Sequence, residues 1–348
     1  INREYTDYWV GAGMSYGLLR GFSLGISMFG SAKSLRTQFL IDNTAHPLSD
    51  TVFGGPQPIP FYSATYYYYE NIRFNNYQLI WKIGLGYKTD KIGLGINFTS
   101  PTVLLWADGK TFIRAMRQQN IMDPEETGFL PNKDISDSQY RSNVDANYKE
   151  PWSLAIGFTY RSVNDKHSFF STMEYFHKIK TYNVLEAEEN PNLGDYTTML
   201  FGQNNWLSVV RNARPVLNAA IGYRWEVNKN FLLLTGFKTD FNHQKRITLE
   251  EIRTVNRFKR LDLDVYHVTT GAQFNIKQHV IFTGFRLAFG GEKDLPYFIN
   301  IADPEEYSPT EEAALQGTRL NNMQVRYVGM SIYFGALFNF GIVDGGAE

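Results

Sequence analysis

The chain has 348 residues, 16% of them aromatic, with 29 Gly, no Cys, and 34 basic against 35 acidic side chains. That length supplies an ample core without disulfides, and the missing cysteine excludes a disulfide scaffold, thiol catalysis and Cys-ligated zinc. Near-zero net charge argues against a broad nucleic-acid surface, and no apolar run approaches the roughly 20 residues that a membrane helix needs.

Period-two alternation predicts strands, in chain order, at Tyr8 to Leu18, Phe22 to Leu40, Thr65 to Tyr87, Ile92 to Met116, Val144 to Tyr160, Ser168 to Leu185, Trp206 to Trp225, Asn230 to His243, Leu263 to Ile276, Val280 to Gly290 and Arg326 to Gly341. Residues 82–98, KIGLGYKTDKIGLGINF, show the pattern most clearly. Ile83, Leu85 and Tyr87 share one face before the polar break at Lys88 to Lys91, and Ile92, Leu94, Ile96 and Phe98 share one face after it. The opposite face carries Gly84, Gly86, Gly93, Gly95, Asn97 and Thr99, which are small and wettable. The eleven strands so read mostly have ~10 or more residues, where strands of soluble proteins have ~5 or 6.

The connections alternate between two kinds. Short ones lie at Leu19-Arg20-Gly21, Lys88 to Lys91, Ser162 to His167, Glu226 to Lys229 and Lys277 to His279. Between them come long polar segments at Asp42 to Tyr62, Arg117 to Asn143, Glu186 to Asn205, Gln244 to Asp262 and Gly291 to Gln324. Tight turns on one rim and extended loops on the other describe an all-β, transmembrane antiparallel up-and-down barrel in the outer membrane of a Gram-negative bacterium. With the short turns periplasmic, the first strand descends from outside and the last ends in the periplasm. Bacterial single-chain barrels have an even number of strands, so an odd number is expected ahead of Ile1. The opening Ile1-Asn2-Arg3, without Met or signal peptide, reads as a processed or incomplete start of a single barrel domain over residues 1–348.

Facing assignments follow from the same period. Val10, Met14, Leu79, Ile156, Ile221 and Ile332 are among the positions expected to touch outer-membrane lipids. Trp9, Tyr87, Trp106, Trp152, Tyr160, Trp206, Tyr223 and Trp225 sit near strand ends, where amphipathic rings suit the membrane-interface girdles. Lys82, Arg161, Glu174, Lys178, Arg224, Lys238, Asp240 and Arg286 are expected to line the lumen. They pair and hydrate one another there, or form a mildly basic passage or ligand site.

Several phrases, YWVGAGMSYGLLRGFSLGISMF, LIWKIGLGYKTDKIGLGINFTSP, EPWSLAIGFTYR, PVLNAAIGYRW and MSIYFGALFNFG, resemble the FadL-type outer-membrane transport family, which carries long-chain fatty acids and aromatic hydrocarbons, and its Bacteroidota branch in particular. The resemblance covers most of the chain as Gly-aromatic alternation, short turns, and Pro151 and Pro215 upstream of apolar stretches. It implies fourteen strands in the complete protein and an N-terminal hatch; no family ligand residue transfers by motif.

Chemistry beyond a barrel finds little support. The six His residues lack metal-ligand spacing, the glycine pairs precede no helix, and Ser168, His167 and Asn164 fall in a periplasmic turn. No catalytic residue, metal or cofactor is expected, and the chain is not read as an enzyme. Two functions stay open: passive uptake of a hydrophobic small-molecule ligand, or a non-transporting barrel subunit that holds protein partners in an outer-membrane secretion or biogenesis complex.

Overall fold

The protein was analysed as a computed structural model, which describes residues 1–46, 63–123, 128–129, 134–186, 208–244, 248, 258, 263–276, 279–303, 305, 307–308 and 313–338. Its strands are β1 (Asn2–Leu19), β2 (Phe22–Ala45), β3 (Ala64–Lys88), β4 (Ile92–Thr99), β5 (Val103–Gln119), β6 (Met122–Asp123), β7 (Gly128–Phe129), β8 (Ile135–Arg141), β9 (Asp145–Ala146) and β10 (Ser153–Arg161). There follow β11 (His167–Phe176), β12 (Ile179–Glu186), β13 (Val209–Ala213), β14 (Val216–Asn228), β15 (Phe231–Asp240), β16 (Val265–Ile276), β17 (His279–Leu295), β18 (Tyr307–Ser308), β19 (Ala313–Ala314) and β20 (Met323–Leu337).

Eleven strands follow one another in a single antiparallel wall, in the order β1-β2-β3-β4-β10-β11-β14-β15-β16-β17-β20. Among the described residues no pairing joins β20 to β1. Tight turns close one rim. At the first, Gly21 takes a φ of +89°, and a Cβ there would come within 2.7 Å of the Lys88 carbonyl, so glycine is needed on both counts.

The outer face of β3 carries Tyr77, Leu79, Trp81, Ile83, Leu85 and Tyr87 in alternation. Ten steps from Tyr77 to Tyr87, at ~3.3 Å each and a tilt near ~40°, span roughly 25 Å, the height of the apolar band of an outer-membrane barrel. Cross-strand neighbours continue the band, as Met28 beside Trp81 and Ile26 beside Ile83.

Four predicted strands prove to be two pieces each. The stretch Ile92 to Met116 divides into β4 and β5, Val144 to Tyr160 into β9 and β10, Ser168 to Leu185 into β11 and β12, and Trp206 to Trp225 into β13 and β14. The breaks share one level, because Ser153 pairs with both Thr99 and Phe176, and Phe176 pairs with Val216. Pro101, Pro151 and Pro215 stand at three of the four breaks; each lacks the N–H that a ladder requires. Beyond that level β9, β12 and β13 leave the wall and form their own three-stranded sheet. The predicted loop Arg117 to Asn143 also contains a strand, β8, which extends the wall beside the upper part of β5.

Candidate functional site

On the inner face, the loop-side half of the wall is buried at alternate positions: Ser31, Lys33, Leu35, Thr37 and Phe39 on β2, and Ile72, Phe74, Asn76, Gln78 and Ile80 on β3. Leu35, Ile72 and Phe74 among them are covered by the small sheet and the segment around β9. Val144, Ala146 and Tyr148, with Val184, Leu185 and Val209, form one apolar cluster with Leu35, Ile72, Phe74 and Phe112 of the wall and with Phe258. A second cluster nearer the loops joins Tyr66 and Ile121 to Ala314 and Leu315, the latter two at and just beyond β19.

The segment from Val144 to Glu150 runs extended between wall and small sheet, and its backbone groups must find partners in a site shielded from water. Asn76 provides two, donating through Nδ2 to the Ala146 carbonyl at 3.3 Å and accepting the Tyr148 N–H at Oδ1. Gln78 donates to the Tyr148 carbonyl. From the other side the Asn147 N–H reaches the Val184 carbonyl at 2.7 Å, and the Lys149 N–H reaches the Tyr182 hydroxyl at 2.9 Å. Arg211 donates to the Lys149 carbonyl and lies over the Tyr148 ring at 4.2 Å. Glu150 donates its N–H to Thr102 at 2.9 Å, where the chain rejoins the wall.

Charge fixes the lower end of this segment. The Lys33 ammonium lies 2.6 Å from the Asp7 carboxylate of β1 and 3.4 Å from that of Glu150, with the Lys33 side chain 3% exposed. Asp7 also accepts from the Ser31 hydroxyl at 2.7 Å. Higher on the wall Arg114 and Glu70 form a buried pair at 2.7 Å.

Seven of the eight predicted lumen residues occupy separate places on the inner face. Lys82 lies 5.5 Å from the Trp9 ring centroid and 5.6 Å from that of Phe29, with no carboxylate partner among the described residues. Arg161 stands 4.0 Å from Asp165 at the turn rim, and Arg224 lies 3.4 Å from Glu226. Glu174 accepts from the Ser153 hydroxyl at 2.7 Å. Lys238 stands across from His267, whose ring approaches Asp240 at 3.7 Å. Arg286 donates to the Ser331 hydroxyl at 3.2 Å and lies over Tyr333 at 5.8 Å. Lys178 departs from expectation: it is exposed between β11 and β12, at the level where the chain leaves the wall. The eight form no single cluster.

The aromatic set divides in a similar way. Trp106 stacks on Tyr77 at 5.0 Å on the outer face near the loop-side edge of the apolar band, and Trp152 stacks on His177 at 4.8 Å where the wall steps down. Tyr87, Tyr160, Tyr223 and Trp225 lie on the outer face towards the turn rim. There Tyr223 bonds the His167 ring at 2.7 Å. Trp9 differs from the girdle expectation: it pairs with the inward Ser31 and meets Phe29 at 5.8 Å, because odd positions of β1 face inward. Trp206 lies outside the described residues.

The step in the wall leaves one edge without a neighbour. β5 pairs with β3 along its whole length, but on its other side it meets β8 only over Phe112–Gln118. Gly109 bridges Val144 of the internal segment, and Val103 to Ala107 have no strand partner on that side among the described residues. Val103, Leu105 and Trp106 are exposed there at the height of the apolar band. Sequence reasoning did not find Lys33, Asp7, Glu150, Asn76 or Gln78. The available signal was the apolar inner phase of Leu35, Phe39, Ile72 and Phe74, which a water-filled lumen would not carry.

A wall of long antiparallel strands with an apolar outer band and tight turns along one rim defines a transmembrane β-barrel of the outer membrane. One solved structure shares this architecture, and a second is less similar. A FadL homologue of Pseudomonas aeruginosa superposes with a TM-score of 0.56 at 14% identity, over 96% of this chain and 67% of that one. The Pseudomonas putida toluene transporter TodX gives a TM-score of 0.47 at 14% identity, over 85% of this chain and 65% of that one. This chain thus spans about two thirds of their length. No protein-family model and no curated protein sequence matches it.

Proposed function

We propose that this chain is an outer-membrane barrel for the passive uptake of hydrophobic small molecules, of fatty-acid-like or aromatic type. The observation that carries the reading is the edge of β5 from Val103 to Trp106, which has no strand partner on its far side among the described residues and exposes apolar side chains at membrane height. Its position beneath a filled loop-side lumen directs a hydrophobic molecule sideways into lipid instead of straight through water. Such a path needs no nucleotide, metal or covalent step, and the FadL-like fold adds an analogy with hydrocarbon transport.

The test is uptake of labelled oleate and of toluene by intact Gram-negative cells that lack a transporter of their own. Cells producing the chain should accumulate both faster, and Val103→Asp with Leu105→Asp should slow entry by placing charge along the opening. Uptake no faster than in cells without the protein would overturn the reading. The packed lumen also favours a second one, a non-transporting subunit of a larger assembly. Protein companions retained after gentle detergent extraction, in place of bound lipid-like molecules, would support that alternative.

A further inference from the structure

Arg36 of β2 and Arg73 of β3 face each other directly in the antiparallel register. Their neighbours Leu35 and Phe74 point inward and are buried, so both guanidinium groups stand on the outer face. Like charges at directly opposed positions, with Cβ atoms ~5 Å apart, weaken a strand pair unless something negative joins them. Glu4 of β1 is the residue across from Arg36 on its other side, yet it makes no ion pair with either arginine. Neither guanidinium has a hydrogen-bonding or ionic partner among the described residues.

The height of the pair is informative. Tyr77 and Trp106 stack near the loop-side edge of the apolar band, and Ser34 with Asn75 form the next outward step, directly below Arg36 with Arg73. Arg73 is four positions from Tyr77, so the pair stands roughly 10 Å above the aromatic ring on a tilted strand. Arginine stems reach back towards the interface, which brings both forks to the level of lipid head groups. Paired guanidinium groups suit a phosphate, which accepts two parallel hydrogen bonds from each fork.

We propose that Arg36 and Arg73 form an outer-surface site for the phosphate groups of an outer-leaflet lipid, which supplies the missing counter-charge and holds the lipid against this side of the barrel. The site is independent of the transport reading and uses neither the lumen nor the β5 edge.

The experiment uses the whole chain in mild detergent, with native mass spectrometry of bound lipid. Diphosphorylated lipid A, the same lipid stripped of its phosphates, and inorganic phosphate serve as probes. The phosphorylated lipid should bind on the order of tenfold more tightly than the stripped form. That preference should vanish in R36Q/R73Q and return in part in R36K/R73K. Inorganic phosphate alone should not displace the lipid, since the acyl chains hold it in the band. A preference kept in the double glutamine variant would overturn the proposal. So would equal binding of the two lipids by the unaltered chain, a result that needs no variant to fold.

Discussion

Glu150 and Lys33 meet inside the barrel at 3.4 Å although 117 positions separate them in the chain. The contact joins the second strand of the wall to the end of a segment that has travelled through the interior. Because Lys33 also holds Asp7 at 2.6 Å, one buried ammonium ties β1, β2 and the internal segment together.

Removing that ammonium leaves two partly shielded carboxylates facing each other. Lys33→Ala should therefore destabilise the barrel by about 2–3 kcal/mol, less than a fully buried unpaired charge would cost. Glu150→Gln should cost less, because Asp7 stays paired. Denaturant unfolding in detergent micelles, followed by gel mobility of the folded and unfolded forms, would rank the two.

Asn76 and Gln78 act as a substitute strand for the backbone from Ala146 to Tyr148. Asn76→Leu leaves the Tyr148 N–H and Ala146 carbonyl without wall partners, at about 1–3 kcal/mol for each buried group. Hydrogen exchange should quicken at the Tyr148 amide while the β4–β10 ladder stays protected. Unchanged exchange at Tyr148 would show that the small sheet alone holds the segment.

The face assignments of Trp9 and Trp106 differ, and lipid can report on them. In variants that keep one tryptophan, brominated acyl chains should quench Trp106 strongly and Trp9 weakly, since Trp9 packs inward between Phe29 and Lys82. Equal quenching would place both rings in lipid.

His243 follows β15 at the loop side and sets its ring edge-on against Phe176 at 4.6 Å. Burial holds its imidazole below the ordinary histidine range, with the Arg211 and Arg214 charges adding to the effect and Glu150 and Asp240 opposing it. A base with a depressed folded pKa binds fewer protons folded than unfolded. Its contribution is complete above the unfolded value of roughly 6.5 and is lost as pH falls from there through the folded value. Unfolding at pH 7.5 and pH 5 should show this acid loss shrink in His243→Phe, which keeps the ring contact.

Much of the wall was legible because it rests on local rules. Alternation in Ile83, Leu85, Tyr87 and in Ile92, Leu94, Ile96 decides which residues face outward, since neighbouring side chains on a strand must point to opposite faces. The short turns at Gly21 and at Lys88 to Lys91 follow from the same local geometry, and so do the two kinds of rim. Alternation alone, however, is blind to where a strand goes. The stretches Ser168 to Leu185 and Trp206 to Trp225 each keep an extended pattern through the point where one half stays in the wall and the other turns into the interior. Only the tertiary structure decided that step, the seating of Ala146 and Tyr148 on Asn76 and Gln78, and the bond between Lys33 and Glu150. Each depends on residues tens of positions or more apart meeting in a space that only the folded wall creates.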